Sequence, residues 1–122
     1  MKKKSTDIEL FDLRDCILKA MLEKKANEVV SIDLRKFTNR MADMFIICHG
    51  SSVTQVETIA DYVEEFTLKQ LKQKPFHREG FENKEWILLD YFDIVVHVFL
   101  EEKRNFYSIE ALWGDGEILK HQ

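Results

Sequence analysis

The stretch EWILLDYFDIVVHVF, residues 85–99, decides the fold of this chain. It contains two apolar runs, Trp86–Leu89 and Ile94–Phe99, which are joined by the polar link 90–93. β-Branched and aromatic side chains fit the pleated surface of a sheet, and two short runs joined by a few residues predict an antiparallel hairpin. The second run is apolar at almost every position, so we expect a central strand with both faces covered.

Two longer segments have the spacing of amphipathic helices. Leu10, Leu13 and Ile17 recur at helical intervals behind a capping box, and we expect a helix over residues 7–25. A second capping box, which begins at Ser52, predicts a helix that runs to about residue 72. The acidic residues off its apolar stripe predict an acidic outer face, made by Glu57, Asp61, Glu64 and Glu65.

Shorter apolar runs supply the other strands of the sheet. We expect strands over residues 29–34 and 43–49, because both are rich in β-branched or large apolar side chains. A third short strand is expected over residues 76–80, and the Pro75 before it suits the edge of a sheet.

The end of the chain completes the predicted topology. Residues 101–105 are charged and predict a turn, and residues 106–113 have helical spacing and predict a short last helix. The order α-β-β-α-β-β-β-α then gives a mixed five-stranded sheet with flanking helices, an α/β fold in one domain over residues 1–122. Loose ends are expected at about residues 1–5 and 116–122.

Composition narrows the class of protein. Of 122 residues, 45% are hydrophobic, and only four are Gly and one is Pro, so a folded domain is favoured over disorder. The net charge of −4 argues against binding nucleic acid through its phosphates and suits a basic protein partner. Cys16 and Cys48 lack paired spacing and predict buried free thiols. Without an apolar run of about 18 residues or a secretory signal, the chain is predicted to be cytoplasmic.

One turn could hold a phosphate group. Gly50, Ser51 and Ser52 connect a predicted strand to a helix N-terminus, where free N–H groups favour anions. Asp90 and Asp93 are a close carboxylate pair beside a strand end, as a metal-dependent nucleotidyltransferase would need. However, a hairpin turn sends such a pair in different directions, and no third carboxylate lies on a strand. Serines that only cap the helix are therefore the favoured interpretation, and a nucleotide-binding enzyme is the alternative.

The histidines do not have the spacing of a metal site. His49, His77 and His97 lack the paired intervals of zinc ligands, and neither cysteine has a flanking base. His97 lies inside an apolar strand, so we expect it to be buried and hydrogen-bonded. No metal or cofactor is therefore expected, and the residues give no positive sign of an enzyme.

Four segments together resemble one protein family. They are DMFIICHGSS at 43–52, EG at 79–80, WILLDYFDIVVHVF at 86–99 and RNFYSIEALWGD at 104–115. In this order and over nearly the whole chain they resemble the ribosomal silencing factor family, also called the Iojap-related family. The positions carried over as structural motif residues are Asp43, Gly50, Ser51, Trp86, Asp90, His97, Phe106, Leu112 and Trp113.

The resemblance implies a nucleotidyltransferase-like fold that has lost catalysis. It also implies binding to ribosomal protein fourteen of the large subunit, where the factor sterically blocks joining of the small subunit when nutrients are short. A homodimer is implied for the free protein. Three positions depart from the family pattern: Phe92 replaces a usual Gly, Ser108 a usual acid, and Ala111 a frequent basic residue.

Side chains near the end of the hairpin predict the docking surface. Exposed aromatics beside acids are typical of protein-binding surfaces, and the hairpin link is a place where side chains can project. Tyr107 and Glu110 are three residues apart, so on one helix they would share a face, whereas Phe106, Ile109 and Trp113 would serve the core. The predicted ribosome-binding residues are Tyr91, Phe92, Asp93, Tyr107 and Glu110.

Overall fold

A computed structural model of the protein describes residues 6–121, so the expectation for residues 1–5 lies outside the described residues. The elements in chain order are α1 (Asp7–Glu23), β1 (Asn27–Asp33), β2 (Met44–Gly50), α2 (Val53–Leu71), β3 (His77–Glu79), β4 (Trp86–Asp90), β5 (Ile94–Leu100), α3 (Glu101–Tyr107), α4 (Ile109–Leu112) and β6 (Glu117–His121). The mixed α/β class is thus confirmed.

The predicted hairpin forms the centre of the sheet. The strand order is β3-β4-β5-β2-β1-β6, so β5 has a neighbour on each side. Strands β4 and β5 pair antiparallel from Trp86↔Phe99 to Asp90↔Val95, whereas β2 and β5 pair in parallel. The mixed sheet and the central position of β5 are therefore confirmed, and β3 lies at an edge as predicted.

The sheet has six strands, so the predicted number of five is wrong. The sixth, β6, pairs antiparallel with β1 from Val29↔His121 to Asp33↔Glu117. Gly116 allows the return, because a Cβ there would lie 2.8 Å from Ile32 Cγ2 and 3.0 Å from the Asp33 carbonyl oxygen. Residues 117–121 are therefore an ordered strand and not the loose tail that was expected.

The segment after β5 also differs from the prediction. The charged residues expected to form a turn are helix α3, and the single last helix expected over 106–113 is interrupted at Ser108, which has φ 48° and ψ 44°. Phe106, expected in the core, is 76% exposed, whereas Ile109 and Trp113 do pack against the sheet. The left-handed residue turns α4 away from the line of α3, and helical spacing alone does not reveal such a break.

Capping residues begin both long helices. Thr6 Oγ1 accepts from the Glu9 N–H at 3.2 Å and the Glu9 carboxylate accepts from the Thr6 N–H at 2.9 Å, which confirms the first capping box. Ser52 Oγ accepts from the Gln55 N–H at 3.1 Å, but the Gln55 side chain accepts from Ser51 and not from Ser52. The caps satisfy backbone donors that the first helical turn leaves open.

The two faces of the sheet are covered to different extents. Helices α1 and α2 pack on one face over Ile87, Leu89, Val96 and Val98. The other face is covered by Phe37, Ile109 and Trp113 above β1, β2 and β5. This second cover stops before β4, where Trp86 and Leu88 are only half-buried. One corner of the sheet, beside helix α3, is therefore left open.

Candidate functional site

Tyr91 is not at the surface. Its ring is 1% exposed, its hydroxyl forms a 2.8 Å hydrogen bond with Thr67 Oγ1 of helix α2, and its N–H donates to the Ile94 carbonyl oxygen. Burial raises the pKa of the Tyr91 hydroxyl above its usual range. The prediction of an exposed docking side chain at this position is therefore wrong: Tyr91 fastens the hairpin link to α2.

Asp93 is buried as well, with 4% of its surface exposed. Its carbonyl oxygen accepts from the N–H groups of Asp43 and Met44, at 2.9 and 3.1 Å, so the link folds against the start of β2. Asp43 is held in turn by Arg40, whose Nε donates to its carboxylate at 3.0 Å. The prediction that the Asp93 carboxylate is exposed is therefore wrong as well.

Phe92 is the residue of the link that does reach the surface. It is 45% exposed, and its φ of 80° lies in the region that favours glycine. The Asp90 carboxylate accepts from its N–H at 2.8 Å, and its ring lies edge-on to that of Phe76, with centroids 6.3 Å apart. Phe in place of the usual Gly therefore puts an aromatic ring at the surface, on a residue whose backbone conformation is strained.

Tyr107 and Glu110 do not share a helix face, because Ser108 separates α3 from α4. Tyr107 is 48% exposed, and its ring lies 4.7 Å from that of Trp86. Both oxygens of the Glu110 carboxylate accept hydrogen bonds from Arg104, at 2.8 and 3.0 Å. The exposed part of the Tyr107 ring can therefore contact a partner, whereas the Glu110 carboxylate is already engaged by Arg104.

Arg104 is the centre of a buried polar cluster that the sequence did not reveal. Besides Glu110, its Nη1 donates to His49 Nδ1 at 2.9 Å and to the Asn27 carbonyl oxygen at 3.4 Å. Burial, and next the Arg104 charge, lower the pKa of His49. The cluster fixes α3 and α4 to strands β1 and β2. In the sequence Arg104 stands in a charged run, which gives no signal that it is buried.

His97 is buried and hydrogen-bonded, as predicted. Trp86 Nε1 donates to His97 Nδ1 at 3.1 Å, which requires the tautomer with its proton on Nε2. Burial lowers the pKa of His97 to about 3, so the ring is neutral near pH 7. Nε2 has no hydrogen-bond partner within residues 6–121. The pair therefore fixes the orientation of the Trp86 indole on the open corner.

The open corner of the sheet is the candidate docking face, which consists of His77, Glu79, Trp86, Leu88 and Tyr107. The register pairs Glu79 with Leu88, so these two residues lie side by side. His77 Nε2 and a Glu79 carboxylate oxygen lie 2.9 Å apart on the edge strand, within hydrogen-bonding distance. Apolar and aromatic surface with a polar border is typical of protein-binding sites. Leu88 and Glu79 were not predicted as site residues, because an apolar strand gives no sign of which face stays open.

The Gly50–Ser52 turn uses its own donors. The Ser51 N–H donates to the Gln55 side chain at 2.7 Å, the Gln55 N–H to Ser52 Oγ, and the Val56 N–H to the Ser52 carbonyl oxygen at 3.0 Å. A Cβ on Gly50 would lie 3.1 Å from the Val56 nitrogen, so the turn packs closely on α2. These hydrogen bonds agree with capping serines and leave few donors for a phosphate.

The remaining polar candidates do not assemble into a reactive group. Within the described part of the chain, no three His, Cys, Asp or Glu side chains are grouped to hold a metal ion. Cys16 and Cys48 are buried free thiols, and burial raises the pKa of Cys48 to about 12. Over residues 6–121, no helix is long and apolar enough to cross a membrane.

An α/β domain with a partly uncovered, aromatic sheet face is the class that this geometry defines. The family model described as "Ribosomal silencing factor during starvation" matches residues 12–122. The ribosomal silencing factor RsfS of Halalkalibacterium halodurans is 39% identical over 105 residues, which cover 85% of this chain and 87% of that protein. The crystal structure of protein CV0518 from Chromobacterium violaceum has a TM-score of 0.79 at 34% identity and covers 85% of each chain. The chain belongs to the ribosomal silencing factor family.

A more distant relative extends the comparison. The Mus musculus protein named mitochondrial assembly of ribosomal large subunit protein 1 is 26% identical over 105 residues, which cover 84% of this chain and 45% of that protein. The names of these relatives are those of ribosome-directed factors and not of enzymes.

Proposed function

We propose that this chain represses translation by docking on ribosomal protein fourteen of the large subunit, where it sterically blocks the small subunit from joining under nutrient limitation. Family membership supports the repressor role, and the name of the mouse relative supports a large-subunit partner. The structural observation that carries the proposal is the open corner of the sheet, with half-buried Trp86 and Leu88 beside exposed Tyr107.

The chemistry of the docking face suits a basic ribosomal protein. Trp and Tyr are frequent anchors of protein interfaces because they bury a large area at a small cost in conformational entropy. Three carboxylates, of Glu79, Glu82 and Glu85, and two cations, of Arg78 and Lys103, lie beside the anchors. The chain as a whole has a net charge of −4. Opposite charge on a partner would accelerate association and make it sensitive to salt. Of the residues predicted from sequence, Tyr107 lies on the docking face and Phe92 is proposed as a further direct contact at the hairpin link, outside that face. Tyr91, Asp93 and Glu110 act by holding the fold.

Co-sedimentation with purified subunits tests the proposal. The protein should move with large subunits on a sucrose gradient and not with small ones, and it should lower the yield of joined ribosomes when added before the small subunit. Leu88→Lys places a charge on the open face, on the opposite side of the sheet from α1 and α2, and should abolish both effects in a variant first shown to be folded. Equal binding to both subunits, or to neither, would contradict the proposal.

The alternative of a nucleotide-binding enzyme is not favoured by a specific observation. The Ser51 and Gln55 N–H groups already donate within the turn that would have to hold a phosphate. We infer instead that the chain acts by binding alone, without cofactor or metal, in the cytoplasm where translating ribosomes occur. The homodimer implied for the free protein stays part of the proposal, and light scattering of the purified chain measures it.

A further inference from the structure

A cavity of about 600 Å³ lies between the β3–β4 connection and helix α3. Its lining includes Gly80, Glu82, Glu85, Trp86, Lys103 and Tyr107. Trp86 and Tyr107 belong to the docking face as well, so the cavity opens beside it. We propose that this cavity is a binding site for the guanidinium group of an arginine side chain. Only the source of that arginine, a basic protein on the large subunit, rests on the proposed function.

The aromatic part of the lining suits a planar cation. The rings of Trp86 and Tyr107 are inclined at 45°, with centroids 4.7 Å apart, and Tyr107 is 48% exposed. A guanidinium is flat and weakly hydrated, so it stacks on aromatic faces more readily than an ammonium does. The indole of Trp86 is held by His97, so its orientation does not have to be fixed on binding. The cavity therefore favours arginine over lysine.

Two carboxylates of the lining have no ion-pair partner among the described residues. Glu82 and Glu85 form no ion pair with any residue between 6 and 121, although Glu85 is half-buried. By contrast, a Glu79 oxygen lies 2.9 Å from His77 Nε2. A bound cation would be attracted to both carboxylates, and neither of them would have to leave an existing ion pair.

The basic side chains around the cavity are engaged elsewhere. Arg78 donates to Glu64 at 2.9 Å and lies 3.8 Å from the Phe81 ring centre. Lys84 is paired with Glu57 at 3.2 Å. Lys103, the remaining cation of the lining, lies 5.9 Å from the ring centre of Phe106. Arg78 and Lys103 therefore line the cavity without pairing with Glu82 or Glu85, and the charge of each would oppose a bound guanidinium.

The loop that carries the carboxylates is tightly fixed. Gly80 has φ 91°, and a Cβ there would lie 1.9 Å from the Trp86 carbonyl oxygen. The Lys84 N–H donates to the Gly80 carbonyl oxygen at 2.9 Å, and Lys84 itself has φ 59°. Because these contacts fix the shape of the turn, little conformational entropy is lost when a side chain enters.

The test uses three small probes with the full chain labelled with nitrogen-15. The probes are N-acetylarginine amide, its lysine equivalent and its neutral citrulline equivalent, followed by NMR titration. Arginine should shift the Trp86 indole and the amides of residues 80–85, lysine should bind more weakly, and citrulline should not bind. The indole of Trp113, which packs on Phe37 at 5.2 Å, is the internal control.

Variants make the test specific to the cavity. Glu85→Gln should weaken arginine binding about fivefold, Lys103→Met should strengthen it, and Glu65→Gln on the exposed side of α2 should leave it unchanged. Equal shifts with citrulline, or a Glu85→Gln variant that binds arginine as tightly as before, would overturn the inference. If the Glu85→Gln variant no longer binds N-acetylarginine amide but still co-sediments fully with large subunits, the cavity binds arginine. The proposal that this cavity takes part in ribosome docking would then be wrong.

Discussion

The guanidinium of Arg104 donates to both carboxylate oxygens of Glu110, at 2.8 and 3.0 Å, and thereby ties helix α3 to helix α4. The Arg104 side chain is 8% exposed and the Glu110 side chain 32%, so the arginine half of the pair is shielded from water. Ser108 interrupts the helix between them, and the ion pair bridges this break. Tyr107 stands directly before the break, so the pair also sets the position of an aromatic residue of the docking face.

Removal of Arg104 should destabilise the fold strongly. Arg104→Ala leaves Glu110 without its partner and removes a donor from His49 Nδ1, so we expect a loss of about 3 kcal/mol in the free energy of unfolding. Arg14→Ala breaks an ion pair with Asp15, whose side chain is 64% exposed, and should cost less than about 1 kcal/mol. Urea unfolding of both variants measures the difference; equal losses would show that the Arg104 pair has no special role.

Buried histidines should make the protein less stable as pH falls. His97 has a pKa of about 3 in the folded chain against 6.5 for a free histidine. Between these values the unfolded state binds more protons, so the free energy of unfolding decreases as pH falls from 6.5, by about 1.4 kcal/mol for each pH unit from this residue. The lowered pKa values of His49 and His121 act in the same direction.

His97→Gln isolates the contribution of this one residue. Glutamine can still accept from Trp86 Nε1 but does not titrate, so the stability of the variant should fall less steeply between pH 7 and about pH 5 than that of the unchanged chain. Chemical unfolding at a series of pH values gives both slopes. Identical slopes would mean that His97 is not the group that takes up the proton.

The backbone at Phe92 should prefer glycine to alanine. Its φ is 80°, a conformation in which a Cβ is unfavourable. Both Phe92→Gly and Phe92→Ala remove the ring next to Phe76, so the comparison between them reports the backbone alone. We expect the glycine variant to be more stable than the alanine variant by about 1 kcal/mol, measured by thermal unfolding. A more stable alanine variant would contradict the left-handed conformation.

Gly80 should not tolerate a side chain. A Cβ at this position would lie 1.9 Å from the Trp86 carbonyl oxygen, which is backbone and cannot move aside cheaply. We expect Gly80→Ala to cost more than about 2 kcal/mol, because φ is also 91°. The matched control is Gly114→Ala, where the nearest atom would be 3.3 Å away. Similar melting temperatures for the two variants would refute the close approach.

Two tyrosines should separate docking from stability. Tyr107→Ala removes an exposed anchor and should weaken large-subunit binding by about 2 kcal/mol, roughly thirtyfold, with little change in melting. Tyr91→Phe removes only the hydroxyl that bonds to Thr67 and should lower stability by about 1 kcal/mol while affinity is unchanged. A co-sedimentation titration and a melting curve for each variant suffice. Weaker binding of Tyr91→Phe, with Tyr107→Ala unaffected, would reverse the assignment.

The fold followed from local patterns more closely than the site did. The apolar run of β5 and the capping box of Thr6 are local signals, and both were confirmed. Strand β6 was missed because its hydrophobic pattern is short and follows two glycines, and because its pairing with β1 is a distant contact that no local pattern reports.

The burial of Tyr91 and Asp93 was missed for a related reason. A short polar link between strands is typical of a surface turn, but here it is covered by Thr67 of α2 and by the backbone of Asp43 and Met44. These partners are far away in the sequence, so only the assembled sheet brings them to the link. The docking face was missed for the same reason. The apolar pattern of the strand that contains Leu88 does not indicate which face of the sheet remains uncovered.

The pairing of β1 with β6 has a consequence for folding during synthesis of the protein. Strand β1 leaves a translating ribosome first among the strands and β6 leaves last, so the ladder between them cannot close until synthesis has passed His121. Until then β1 exposes unpaired backbone groups along a sheet edge, which attracts other strands. Contacts between such distant segments also form slowly. Until β6 has been synthesised, the nascent chain therefore carries an unpaired sheet edge that can bind other strands.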